Sequence, residues 1–168
     1  MSFIGIITDK KNENDLAHCL HNSFSKKNIK DNVIIINNKN INNIKNIKFD
    51  SLLINKKLTG KSDVIKRLLS NSKNLIVNSD IDTGIDMINK TNSNIITYGF
   101  NPKSTVTASS LENDDALICI QRNIKNNNNS IVEQQEIKVA KVNNNPYIIM
   151  AVETLSLLHD THNFFNKN

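Results

Sequence analysis

Apolar residues in the first part of the chain fall in short runs that alternate with segments of helical spacing. The runs are bounded by polar turns, as expected for strands that are buried on both faces. Between the runs, apolar residues recur every three or four positions, which is typical of amphipathic helices. The predicted strands cover residues 2–8, 33–36, 51–54, 74–78 and 94–98, and the predicted helices cover residues 15–24, 62–69 and 81–90. This alternation predicts a mainly parallel sheet with helical crossovers.

Two polar stretches are assigned to connections. Residues 9–14 follow the first strand and are predicted to form a polar turn, in which Asn12 or Asn14 caps the next helix. Residues 37–46 are rich in asparagine and are predicted to be loop or a weak edge strand. The first helix is therefore expected to begin several residues after the first strand ends.

The pattern changes after Gly99. Residues 106–110, 116–122 and 131–142 alternate between apolar and polar positions and are separated by asparagine-rich turns. Such alternation predicts an antiparallel meander with one solvated face. Pro146 then opens a helix whose apolar residues are Ile148, Ile149, Val152, Leu155 and Leu158.

Together these patterns predict an α/β fold. A mainly parallel sheet is flanked by helices and joined to a small antiparallel β part after Gly99. The chain of 168 residues is long enough to form a core without disulfides or metal, and we expect a single domain spanning residues 1–168. The last residues, 161–168, are expected to be frayed.

Composition narrows the functional classes. The net charge is +5, but the lysines are scattered, and the two tyrosines and the absence of tryptophan leave little for base stacking, so nucleic acid is not an expected partner. No apolar run approaches the roughly 18 residues of a membrane span, and no secretory signal is evident. Cys19 and Cys119 lie in apolar stretches and are expected to be small buried hydrophobes rather than metal ligands. We expect a cytoplasmic protein without membrane contact.

Several segments carry a resemblance to a known family. Residues 75–82, Leu-Ile-Val-Asn-Ser-Asp-Ile-Asp, and residues 95–100, Ile-Ile-Thr-Tyr-Gly-Phe, resemble the central ATP-binding domain of the Mur ligases, which join amino acids to a cell-wall precursor. In that family one strand ends in Asn-x-Asp-Asp and the next reads close to Ile-Thr-Phe-Gly. Residues 105–110, 135–139 and 147–159 look like segments that follow in the family's order. The resemblance implies the same α/β fold.

The family's catalytic parts have no counterpart here. Residues 4–14 stand where the resemblance places the first strand and the phosphate loop, but this segment has no glycine after Gly5 and no Gly-Lys-Ser or Gly-Lys-Thr. A phosphate loop needs glycines so that backbone N–H groups can curl round the phosphates. No glutamate clearly takes the magnesium-binding role, and Asn143-Asn144-Asn145-Pro146 replaces the family's Gly-x-His-Asn turn. At this length we expect no flanking substrate domains. We therefore expect no ligase activity and no cofactor.

The candidate site lies at the carboxyl ends of the predicted parallel strands, where open α/β sheets bind ligands. Its candidate ligand-binding residues are Thr8, Lys10, Lys11, Asn78, Asp80 and Asp82. The two aspartates have an alternative interpretation as turn formers with nothing bound.

Two other patterns have structural explanations. Thr59-Gly60-Lys61-Ser62 lies between a strand and a helix, but the first glycine of a phosphate loop would fall at Asn55, so a loop glycine and a capping serine are the better interpretation. His18 and His21 on the first helix, and His159 and His162 near the end, lack the neighbours of a metal site and are interpreted as surface histidines.

Two functional hypotheses follow. The first is a non-catalytic protein that binds a protein or small-molecule partner, linked to cell-wall or spore metabolism by the resemblance alone. The second is a residual nucleotide-binding protein or an enzyme with an atypical phosphate site. The loop after the first strand distinguishes them, and its lack of glycine favours the first.

Overall fold

The computed structural model describes residues 2–25, 32–59, 62–141 and 143–160. Ten strands and five helices are formed within these ranges. In chain order they are β1 (Phe3–Thr8), α1 (Lys10–Ser25), β2 (Asn32–Ile35), α2 (Ile41–Ile44), β3 (Phe49–Asn55), α3 (Ser62–Ser70), β4 (Ser72–Asn78), α4 (Ile85–Ile88), β5 (Asn94–Tyr98), β6 (Val106–Leu111), β7 (Asp115–Ile120), β8 (Ile124–Lys125), β9 (Ile131–Val132), β10 (Gln135–Ala140) and α5 (Pro146–Leu158).

Eight of these strands form one sheet in the order β10-β7-β6-β5-β4-β3-β1-β2. Strands β1 to β6 all run in the same direction, whereas β7 is antiparallel to both of its neighbours, β6 and β10. Strands β8 and β9 form a separate antiparallel pair. The prediction of a mainly parallel sheet with an antiparallel region after Gly99 is confirmed, and β1 lies inside the main sheet between β2 and β3.

Helices cover both faces of the parallel strands. Helices α1 and α5 pack on one face over a core that includes Leu20, Leu53, Ile76 and Leu155. The other face packs against α3 and the short helices α2 and α4, with Leu68 in its core. One face of the antiparallel strands continues the core that lies under α1 and α5. On their other face, alternate residues of β10 are exposed. The predicted solvated face is therefore present.

Helix α5 is buried along almost its whole length because it packs against both the sheet and α1. Pro146 occupies its first turn, and the side chain of Asn145 accepts a hydrogen bond of 3.0 Å from the Tyr147 N–H. An asparagine cap followed by proline fixes the start of a helix, because the cap satisfies a free N–H and proline lacks one. The beginning of α5 is thus held at one edge of the sheet.

Three local predictions are wrong. Helix α1 begins at Lys10, directly after β1, so Asn12 and Asn14 lie within the helix and do not cap it. The first turns of α1 extend beyond the core and carry polar residues, so hydrophobic spacing could not reveal them.

The asparagine-rich stretch, predicted to be loop or a weak edge strand, contains α2, a single turn whose Ile44 reaches the core. Cys19 is buried as expected, but Cys119 on the uncovered face of β7 is only half-buried.

Within the described ranges, no helix combines the length and the apolar character that crossing a membrane requires.

Candidate functional site

A row of four polar side chains crosses the carboxyl ends of four neighbouring strands. Thr8 of β1 is in register with Asn55 of β3, and Asn78 of β4 is in register with Tyr98 of β5. Because Ile54 pairs with Val77, Asn55 and Asn78 are also neighbours. Residues paired in register point to the same face of a sheet, here the face under α1 and α5. We call these four residues the carboxyl-edge row, and all four are buried.

Asn55 connects the carboxyl-edge row. Its Nδ2 donates to Thr8 Oγ1 at 3.3 Å, and its Oδ1 accepts from Asn78 Nδ2 at 2.8 Å and from the Tyr98 hydroxyl at 2.9 Å. Burial raises the pKa of Tyr98 well above its usual range, and the charge of Asp80 adds to the shift. The hydroxyl therefore stays protonated and serves as a donor. A buried polar network of this kind is stable because its members satisfy one another.

Asp80 organises the loop between β5 and β6. Its carboxylate accepts hydrogen bonds from the N–H groups of Phe100 at 2.6 Å and Asn101 at 2.9 Å, and from the Tyr147 hydroxyl at 3.1 Å. Burial raises the pKa of Tyr147, and the hydrogen bond to Asp80 acts in the same direction. Asp80 thus joins the β4 turn, the β5–β6 loop and the start of α5.

Asp82 lies in a solvent-exposed turn. Its carboxylate accepts from Lys57 Nζ at 2.6 Å and from the Gly84 N–H at 3.2 Å. The hydrogen bond from Lys57 lowers the pKa of Asp82, the Gly84 N–H adds to this shift, and the same ion pair raises the pKa of Lys57. An exposed ion pair of this kind contributes little stability. Asp82 therefore has the geometry of a turn former.

Lys10 and Lys11 lie in the first turn of α1 and are exposed. Asp9 is the single residue between the last position of β1 and the first position of α1. A phosphate loop requires several residues between strand and helix, because the backbone must curl round the phosphate groups. No such loop exists at this end of β1. Helix α1 instead begins two residues after Thr8.

The candidate residues thus divide into three groups. Thr8 and Asn78 are brought together by Asn55, and Asp80 is attached to them because its N–H donates to Asn78 Oδ1 at 3.0 Å. Lys10 and Lys11 lie on the surface of α1, and Asp82 is occupied by Lys57.

Sequence reasoning missed Asn55, Tyr98 and Tyr147. The first two could have been found, since each is a polar residue at the carboxyl end of its strand, as Thr8 and Asn78 are.

A second polar row crosses the amino ends of the same strands. Ser51 of β3 is in register with Asn74 of β4, which is in register with Asn94 of β5. Asn94 Nδ2 donates to Asn74 Oδ1 at 3.1 Å, and Ser51 Oγ lies 2.9 Å from His159 Nε2. The interpretation of His159 as a surface residue in a tail is wrong, because it is half-buried at the end of α5. Polar rows at both edges therefore enclose an apolar strip on this face.

Two apolar side chains beside Asp80 are exposed. Phe100 has 46% of its surface accessible and Ile81 has 39%. The ring of Phe100 packs edge-on against Tyr147, with centroids 5.6 Å apart. This contact and the Asp80 bond to the Phe100 N–H hold the phenylalanine in one place. A fixed exposed aromatic side chain is the kind of group that protein partners contact.

An open cavity of about 470 Å³ lies where α1 meets the turn before α5. Its lining residues are Asp15, Asn113, Lys141, Asn143 and Asn144. Of these, Asn143 donates to Asp15 at 3.3 Å, and Lys141 Nζ donates to the Glu112 carbonyl at 3.2 Å. None of the candidate residues from the sequence lines this cavity.

Other predicted features give no site in the described ranges. No cluster of three or more His, Cys, Asp or Glu side chains suited to a metal ion is found there. Gly60, Lys61 and His162 lie outside the described residues, so the interpretations of the Gly-Lys-Ser sequence and of His162 stay predictions. No family model matches this sequence, and no curated protein matches it.

Proposed function

We propose that this chain is a non-catalytic binding protein with a Mur ligase-like central domain that has lost its phosphate loop. The observation that carries the proposal is the direct passage from β1 to α1 through Asp9 alone. Without a glycine-rich loop, the backbone cannot surround a triphosphate, and the negative charge of Asp9 repels it. Lys10 and Lys11 could supply charge but not the missing backbone amides.

The polar groups at the carboxyl edge support the same conclusion. Asn55 already uses its side-chain amide and carbonyl within the carboxyl-edge row. Asp80 accepts hydrogen bonds from the Phe100 and Asn101 N–H groups and from the Tyr147 hydroxyl, and Asp82 is paired with Lys57. A general acid or base must reach a substrate with a free position. These side chains instead perform structural work.

The binding surface of this proposal is the exposed pair Ile81 and Phe100, and the partner is a protein. Aromatic side chains are enriched in protein interfaces, and a side chain that is already fixed loses less entropy on binding. Phe100 is fixed by Tyr147 and Asp80. A link to cell-wall or spore metabolism rests on the family resemblance alone.

The catalytic half of the proposal is tested by calorimetric titration with Mg-ATP. We expect no binding with a dissociation constant below about 100 μM, an affinity of roughly −5.5 kcal/mol, and no hydrolysis. Tighter binding that is lost in Lys10→Ala/Lys11→Ala but kept in Lys66→Ala, on the exposed side of α3, would overturn the proposal. That result would favour the alternative function of a residual nucleotide-binding protein.

The binding half is tested by placing a photo-crosslinking amino acid at Phe100 in the cells that produce the protein. We expect a discrete protein adduct. The adduct should be absent when the same group is placed at Lys66 on α3, which packs on the other face of the sheet from α5. Equal labelling at both positions, or none at Phe100, would show that this surface does not contact a protein partner. Circular dichroism of each variant checks that the fold is kept.

A further inference from the structure

Strand β10 forms one end of the main sheet. Its residues pair with β7 on one side, and no other described strand pairs with it. An edge strand exposes a row of backbone N–H and C=O groups that can pair with another strand. Ile137 and Val139 of β10 point into the core, while Glu136 and Lys138 are exposed on the other face.

We infer that β10 pairs with β10 of a second copy of this chain, antiparallel and centred on Ile137, which makes one continuous sheet across a symmetric dimer. In this arrangement Glu136 of each copy lies opposite Lys138 of the other. The two Ile137 side chains meet on the core face. The interface is isologous, because the same strand is used on both sides.

Charge complementarity selects this register. Residues directly opposite each other must point to the same face, so the centre of an antiparallel pair falls on a residue. Centring on Lys138 places two lysines opposite each other, and centring on Glu136 places two glutamates opposite each other. Like charges at directly opposite positions destabilise a strand pair, whereas opposite charges stabilise it. The register centred on Ile137 alone matches both charges.

A lysine on an edge strand usually prevents self-pairing. Here Glu136 stands two residues before Lys138, so in the dimer each lysine faces a glutamate of the other copy and does not prevent pairing. Lys138 also contacts Asp115 of its own chain at 2.6 Å, with 61% of its side-chain surface still accessible. A six-residue strand gives a small interface, so the dimer is weak.

The test is sedimentation equilibrium of the full chain from micromolar to millimolar concentration. We expect a reversible monomer–dimer equilibrium. Glu136→Lys gives a strand with two lysines, and Lys138→Glu gives a strand with two glutamates, so each variant alone should raise the dissociation constant at least about tenfold, or roughly 1.4 kcal/mol. An equimolar mixture of the two variants should form a heterodimer, since every facing pair is again opposite in charge.

Lys66→Glu, on the exposed side of α3, is the matched control and should leave the equilibrium unchanged. Recovery of association in the mixture excludes loss of folding as the cause of the single-variant effects. A wild-type chain that is monomeric at all concentrations would overturn the inference and would leave this edge to a strand of a different protein. A dimer that is insensitive to both charge reversals would equally overturn it, because its interface would lie elsewhere.

Discussion

The hydroxyl of Tyr98 donates a hydrogen bond of 2.9 Å to Asn55 Oδ1, although the two residues lie 43 positions apart on different strands. This bond closes the carboxyl-edge row under α1 and α5. Both side chains are buried, so water cannot replace a lost partner. The stability of this edge therefore depends on Asn55 more than on any one of its partners.

We predict that Asn55→Ala destabilises the protein by roughly 2–4 kcal/mol, because Thr8, Asn78 and Tyr98 each lose a buried hydrogen-bond partner. Urea unfolding followed by circular dichroism measures the change. Asn92→Ala is the control, since Asn92 is exposed and should change the free energy of unfolding by less than about 0.5 kcal/mol. Equal effects of the two variants would mean that the network contributes nothing.

Tyr98 also predicts how stability depends on alkaline pH. Burial raises its pKa in the folded state, while in the unfolded chain it ionises near pH 10. The stabilisation from this group is therefore complete below about pH 10 and is lost as pH rises above that value. Urea midpoints at several alkaline pH values should fall less steeply in Tyr98→Phe than in the wild type. Parallel slopes would contradict the assigned burial effect.

The third prediction concerns the backbone at Gly99. Its φ is +147°, and an added Cβ would lie 2.7 Å from Ser79 Oγ and 2.8 Å from the Asp80 carboxylate. We predict that Gly99→Ala costs roughly 1–3 kcal/mol and displaces Asp80 from the N–H groups that it holds. Gly84→Ala is a matched control, because Gly84 also has a positive φ of 85° but its nearest neighbour would be 3.5 Å away. Thermal unfolding should show the larger loss for Gly99→Ala.

The sequence predicted the parallel strands well because their apolar runs end at clear polar boundaries. It could not predict that α1 starts at Lys10, since the residues before Leu16, the first buried residue of α1, are all polar and carry no hydrophobic pattern. The short helix α2 was missed for a related reason: Ile41 and Ile44 are its two apolar residues within an asparagine-rich stretch.

Thr8 and Asn78 stand at the carboxyl ends of parallel strands as predicted, but the contacts among the candidate residues were not predicted. Asp80 was identified from its place after a strand, yet its partner Tyr147 lies 67 residues further along the chain. Local patterns cannot reveal such a pair, because it depends on how α5 crosses the sheet. Asn55 was overlooked since its role depends on the register between β1, β3 and β4.

The bond between Asp80 and Tyr147 gives the last prediction. Tyr147→Phe removes one hydrogen bond to a charged acceptor in a partly exposed place, and we expect a loss of about 0.5–1.5 kcal/mol. Asp80→Ala should cost more, roughly 1–3 kcal/mol, because the N–H groups of Phe100 and Asn101 also lose their acceptor. The double variant should lose less free energy of unfolding than the sum of the two single losses, because both single variants remove the same hydrogen bond.

The interaction between Asp80 and Tyr147 can also be tested by titrating the absorbance of tyrosinate. The chain has two tyrosines, and burial raises the pKa of Tyr98 well above its usual range, so the titration of the folded protein should follow Tyr147. The pKa of Tyr147 is raised first by burial and then by the hydrogen bond and charge of Asp80. Asp80→Asn should therefore lower this pKa without returning it to the usual value, because burial persists. An unchanged titration would show that Asp80 and Tyr147 do not interact in solution.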